Sequence, residues 1–203
     1  MATATEPPVE TEASEIPYAI SSEVYLQMVE SGLIPEDRPI YLWEGRLVEK
    51  TARNPVYFAI RDAFYNTVAR RLPRSHYASV VTPVRLDEHH TSLPELVVLR
   101  GEPLALIALQ RYPDGREVEL FVEVAVTSLP RDMGSRVARY AASLPNASYI
   151  VADVKNRCIL VHRKPQSEPA GYAEVETVGP GQVIKLTVGG IELTPIPFED
   201  VMM

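Results

Sequence analysis

The stretch VELFVEVAV, residues 118–126, constrains the fold more than any other part of the chain. Successive side chains of a strand point to opposite faces. One face here carries Leu120, Val122, Val124 and Val126; the other carries Glu119, Phe121, Glu123 and Ala125. Beyond Glu119 both faces are mostly apolar, which is the pattern of a strand covered on both sides. The period then changes. After a short Ser/Pro loop, Met133, Val137, Tyr140, Ala141 and Leu144 form the apolar stripe of a helix over residues 132–144. The segment ASYIVADVKNRCILVHRK follows, with two more strands joined at a Lys155-Asn156 turn.

The flanking segments fit the same plan. ISSEVYLQMVESGLI predicts a short helix, capped by Ser21 or Ser22 and stopped at Gly32. PIYLWEGRLVEK predicts two short strands around a Glu44-Gly45 turn, with Trp43 and Leu47 in the core. Residues 56–72 read as a helix with Phe58, Ala59, Ala63, Phe64, Val68 and Leu72 on its apolar side, ended by Pro73. Arg70, Arg71 and Arg74 lie at its end, where the helix dipole favours positive charge. YASVVTPVRLD and ELVVLRG are strand candidates separated by a loop, EHHTSLP. The C-terminal segment reads as short strands with glycine turns and a final packed piece. Helices alternate with strands and no segment repeats, so the expected fold is one α/β domain over residues 18–203, a mixed sheet flanked by helices.

Residues 1–17 are different in kind. They contain Glu6, Glu10, Glu12 and Glu15 with no Lys or Arg, and they read as a disordered acidic tail. The tail holds much of the chain's formal charge of −7, a sign that argues against a passive, patch-driven nucleic-acid binder. A mildly acidic body also suits a carboxylate-lined site before its cation binds. No apolar run approaches the ~20 residues that span a bilayer, and no signal-peptide pattern opens the chain, so a membrane location is not expected. Cys158, the single cysteine, excludes an internal disulfide and a thiolate-rich zinc site, and a reducing cytoplasm is the expected compartment.

The sharpest question is Glu123, a carboxylate between Phe121 and Ala125 on a face that should be dry. An unpaired buried carboxylate costs several kcal/mol, so it needs a partner or a cation. Glu95 poses the same problem at the start of the strand that carries Val97 and Leu99 on one face. Two acids from separate strands suit a hard cation, because Mg²⁺ takes one or two carboxylates and completes its shell with water. The competing reading is a salt bridge from Glu123 to Arg136, or solvent at a sheet edge. Asp132 and Arg136 lie at i, i+4, and their ordinary reading is an exposed ion pair of little energetic weight. The functional reading places Arg136 as a cation over Glu123.

Other chemistry finds little support. His89 and His90 form a loop pair without a third ligand, and His76 and His162 stand alone. No Gly-rich phosphate loop occurs; GPGQV and VGG read as turns.

Taken together, YLWEGRLVEK, NPVYFAI, PELVVLRG, FVEVAVTSLPRDMGSRVARYA and YIVADVKNRCILVHR resemble the successive blocks of the Uma-two family. That family is a branch of the PD-(D/E)XK nuclease superfamily with a restriction-endonuclease-like fold. The most specific match is the spacing of Glu123-Val124, Thr127-Ser128, Asp132 and Tyr140-Ala141. The resemblance implies that Glu95 and Glu123 hold Mg²⁺ or Mn²⁺ and that the family's lysine, moved onto the following helix, is replaced by Arg136. It implies DNA as the partner and makes a homodimer plausible. The chain departs from the family pattern at four positions: Glu95 where Asp is usual, Arg136 where Lys is usual, Tyr41 in place of an acid, and Tyr57 in place of a histidine.

Two functions stay open at this stage. One is a Mg²⁺-dependent DNA endonuclease using Glu95, Glu123 and Arg136, with Glu44 as an additional acid near the site. The other is a nuclease-fold protein that has lost catalysis and serves as a binding or assembly module, as the four departures suggest. In that role Arg70, Arg71, Arg74, Arg131 and Arg139 would contact phosphates. A third reading, less favoured, exchanges DNA for RNA.

Overall fold

The computed structural model describes residues 16–50, 54–105 and 111–202. Nearly all of the expected acidic tail, and the side chain of Arg131, lie outside the described residues. The first half of the chain gives α1 (Ser22–Glu30), β1 (Ile40–Trp43), β2 (Arg46–Glu49), α2 (Pro55–Ala69), β3 (His76–Ser79), β4 (Val84–Asp87), β5 (His90–Ser92) and β6 (Leu96–Arg100). Then come β7 (Val118–Ala125), α3 (Leu129–Asp132), α4 (Ser135–Ser143), β8 (Ser148–Asp153), β9 (Cys158–Ser167) and β10 (Ala170–Val178). Four two-residue strands, β11 (Val183–Ile184), β12 (Thr187–Val188), β13 (Ile191–Glu192) and β14 (Ile196–Pro197), precede a terminal 3₁₀ turn at Phe198–Asp200.

Strand β7 is buried along its whole length, as its sequence requires. It lies inside a six-stranded sheet of order β10-β9-β8-β7-β6-β3. The β7–β8 pair is parallel and the other neighbours are antiparallel. A parallel neighbour needs a crossover, and α3 and α4 supply it. On one face of the sheet α2 packs Tyr57, Ile60, Phe64 and Val68 against Leu96, Val98, Leu120 and Val122. The C-terminal segment closes this layer with Ile184, Leu186, Phe198 and Val201. On the other face Tyr140 of α4 and Leu144 just beyond it meet Val97, Phe121, Ala125, Tyr149 and Val151. A smaller core, Tyr25, Ile34 and Leu42, ties α1 to β1. The fold is thus the expected α/β mixed sheet with helices on both sides. Among the described residues no helix is long and apolar enough to cross a membrane.

Local chemistry explains the element ends. Ser21 caps α1 by accepting the Val24 N–H at 3.3 Å. Asn54 caps α2 by accepting from Tyr57, with Pro55 following in the first turn. Arg71 donates to the Thr67 carbonyl at 2.8 Å and so satisfies an end carbonyl of α2. Glu44 (φ 51°) and Gly45 (φ 70°) form the tight turn between β1 and β2.

Several expectations need correction. Leu47 is 41% exposed, because β2 turns most of its side chains to solvent while β1 carries Tyr41 and Leu42 inward. The buried stripe of α2 includes Tyr57 and Ile60, while Phe58 and Ala59 are exposed. YASVVTPVRLD divides near Val81 (φ 56°), and β3 and β4 join different sheets. Strand β4 pairs with β5, which occupies part of the expected EHHTSLP loop. The helix over 132–144 breaks at Met133-Gly134, where Gly134 has the non-helical backbone φ −93°, ψ −127°. A bulge between β6 and β7 leaves Glu119 as the extra residue, and its carboxylate pairs with Arg100 and accepts the Gly189 N–H at 3.2 Å.

Candidate functional site

The register between β6 and β7 pairs Leu96 with Val122, and the Glu95 N–H donates to the Val122 carbonyl at 3.1 Å. Carried one residue further, that register sets Glu95 opposite Glu123. Both carboxylates point to the α4 face of the sheet, the face of Phe121 and Ala125. Glu95 is 2% exposed and Glu123 is 3% exposed. Like charges facing across a strand pair destabilise it, so the pair needs a cation.

The cation comes from a residue that sequence reasoning missed. Lys50 Nζ donates to Glu95 Oε1 at 2.8 Å and to Glu123 Oε2 at 2.9 Å. The β1–β2 hairpin delivers it. The Lys50 N–H donates to the Pro39 carbonyl at 3.0 Å, which continues the hairpin beyond its Ile40–Glu49 pair. Alternation then puts Lys50 on the side of Val48 and of its partner Tyr41. Burial opposes the Lys50 charge, yet the two carboxylates outweigh it and hold the ammonium above the usual lysine value.

Arg136 reaches the same cluster from α4 and is buried, not exposed as its ordinary reading held. Its Nη1 donates to Asp132 Oδ1 at 3.1 Å and lies 3.9 Å from Glu123 Oε1. Its Nη2 donates to the Tyr41 hydroxyl. The guanidinium carbon sits 5.3 Å from the Tyr41 ring centre and 5.1 Å from that of Trp43, within cation–π range. Burial opposes its charge too, but Tyr140, Glu123, Tyr41 and Asp132 together raise its pKa. Asp132 is itself braced by the Ser128 hydroxyl, which explains the Ser128-Asp132 spacing. Burial pushes the Tyr140 phenol well above its usual value, so it stays neutral near Glu123, 3.5 Å away, and Ser92, 3.1 Å away.

The structure therefore brings together Glu95, Glu123 and Arg136, joined by Lys50, Asp132 and Tyr41. Glu44 is not among them; it is exposed in its hairpin turn. Arg71 and Arg139 are engaged with Asp200 and Asp87, while Arg70 and Arg74 are exposed. His89 and His90 contact the Ile20 carbonyl and Asp87, and His76 and His162 contact Ser75 and the Tyr149 carbonyl. No group of three His, Cys, Asp or Glu side chains arranged to hold a metal occurs among the described residues. One signal for Lys50 was present: of the chain's four lysines, it alone precedes Glu123.

The sequence matches the Uma2 family, described as "putative restriction endonuclease", over residues 22–195. The chain belongs to the Uma2 family. Its fold is similar to the crystal structure of a "putative nuclease belonging to DUF820" from Anabaena variabilis, with a TM-score of 0.63 and 14% identity. That likeness covers 90% of this chain and 97% of the other. No curated protein matches the sequence. As a Uma2 chain, the protein has the restriction-endonuclease-like fold that its sequence implied, with Glu123 on β7 of the core sheet and Glu95 at the start of the adjacent β6. Within this Uma2 chain, Arg136 is held by Asp132 and Tyr41, and Lys50 enters the same cluster from the hairpin.

Proposed function

We propose that the protein hydrolyses DNA phosphodiester bonds with the help of Mg²⁺ or Mn²⁺. The observation that carries this reading is the convergence of Glu95 and Glu123 on one cation position, marked by Lys50 Nζ. The donor set suits a hard divalent ion, since Mg²⁺ asks for one or two protein carboxylates and takes its other oxygens from water and phosphate. Glu95 and Glu123 would hold it. Bound there, such an ion activates water and neutralises charge on the phosphate.

The chain's own residues do the rest. Arg136 is held by Asp132, by the Tyr41 hydroxyl and ring, and by the Trp43 ring, so it serves as a fixed positive charge that orients Glu123. Lys50 is a compact ammonium on a flexible stem, which a guanidinium cannot imitate. It lines a pocket of ≈ 640 Å³ that also includes Tyr25, Phe58 and Tyr112, a route by which a nucleotide phosphate would approach.

A second reading, a binding module without catalysis, is favoured by the same ammonium, which already occupies the place between the two acids. Supercoiled DNA incubated with Mg²⁺ or Mn²⁺ separates the two. Nicking by the native chain that disappears in Glu123→Ala supports the nuclease. Nicking that persists in Glu123→Ala sinks the site assignment, and DNA binding without nicking under any condition supports the module.

A further inference from the structure

We infer that Lys50 is a built-in cation that stands in the divalent-metal position, so that metal binds only when the Lys50 side chain leaves. This rests on the reading of Glu95 and Glu123 as metal ligands. The geometry is direct: one nitrogen lies within hydrogen-bond distance of both acids, at 2.8 and 2.9 Å. No water-sized gap needs to be assumed, because the ammonium is itself the bridge. Side-chain exposures of 7% for Lys50, 3% for Glu95 and 4% for Glu123 leave little solvent to screen the contact.

Charge counting points the same way. The buried cluster holds three acids, Glu95, Glu123 and Asp132, against two bases, Lys50 and Arg136. A divalent ion added to that set would make it cationic in a low-dielectric setting. Replacing the ammonium by a divalent ion leaves the set neutral. A second cation beside Lys50 is therefore opposed by repulsion, whereas exchange is not. The side chain also has somewhere to go, since Lys50 lines the ≈ 640 Å³ pocket. Withdrawn into it, the ammonium would face an incoming phosphate instead of the carboxylates.

Mn²⁺ binding to the full chain, measured by calorimetry or by loss of the free-ion paramagnetic signal without DNA, tests this. Lys50→Met should bind Mn²⁺ at least tenfold more tightly than the native chain, and Mn²⁺ should raise its melting temperature. The native chain's melting temperature should not move over the same range. Lys50→Met with Glu95→Gln keeps the charge balance with one acid removed; it should fold and show neither effect. Equal Mn²⁺ affinity in the native chain and Lys50→Met overturns the inference. So does a Lys50→Met chain that stays unfolded in Mn²⁺ while the double variant folds, because Mn²⁺ would then fail to replace the ammonium. Failure to nick DNA bears on the nuclease reading and leaves these measurements untouched.

Discussion

Glu95, immediately before β6, comes opposite Glu123 of the antiparallel neighbour β7 when their register is carried one residue on, and a single nitrogen, Lys50 Nζ, bridges them at 2.8 and 2.9 Å. The arrangement joins fold and chemistry. Two acids that would repel across β6 and β7 are made tolerable by a cation from a third element, and the hairpin is thereby fastened to the sheet.

Removal of that cation should be costly. Breaking a buried ion pair by deleting one partner typically costs about 3–5 kcal/mol. Lys50→Met is expected to lose stability in that range by urea denaturation, and pairing it with Glu95→Gln should recover a substantial part. A loss below about 1 kcal/mol would mean that the carboxylates do not depend on Lys50.

Arg136 and Tyr41 should differ in a defined order. Tyr41→Phe removes one acceptor of a charged donor, an effect of about 1.5–3 kcal/mol. Arg136→Lys cannot reach Asp132 and Tyr41 together or stack on Trp43 in the same way, so it should destabilise more. Equal unfolding free energies for the two variants would contradict the geometry.

His162 should make the fold acid-sensitive. Burial pushes the ring below its ordinary value, partly offset by its bond to the Tyr149 carbonyl. A base depressed in the folded state binds its proton more readily when unfolded. Its contribution is thus complete above about pH 6.5 and declines as pH falls through the lowered value. In His162→Phe the loss of stability between about pH 6.5 and pH 5 should be shallower than in the native chain, as followed by thermal melts.

Gly115 is a close-approach site. A Cβ there would meet the Ser143 carbonyl oxygen at 1.9 Å, against backbone at the end of α4. Gly115→Ala should therefore lower stability by about 1–3 kcal/mol or more, as overpacking does. A melting temperature within one degree of the native value would show that this contact relaxes freely.

Much of this is legible in the sequence. Alternation in VELFVEVAV placed β7 centrally and set Glu123 on the face of Phe121, and the same rule set Glu95 beside Val97 and Leu99. The start of α1 was also readable, because Ser21 acts on the backbone N–H three residues away, whereas α2 ends at Ala69, short of the expected stop at Pro73. The break at Gly134 was not, since the stripe from Met133 to Leu144 keeps helical spacing across it.

The sequence by itself determined which strand is central and which acids face the dry side, because side-chain alternation is a local property of the backbone. Only tertiary structure decided what those acids meet. Lys50 is 73 residues from Glu123, and Tyr41 is 95 residues from Arg136. No local period encodes such distances. They are fixed when the β1–β2 hairpin docks beside α4, because burying two carboxylates requires a cation within bonding reach and this packing puts Lys50 there.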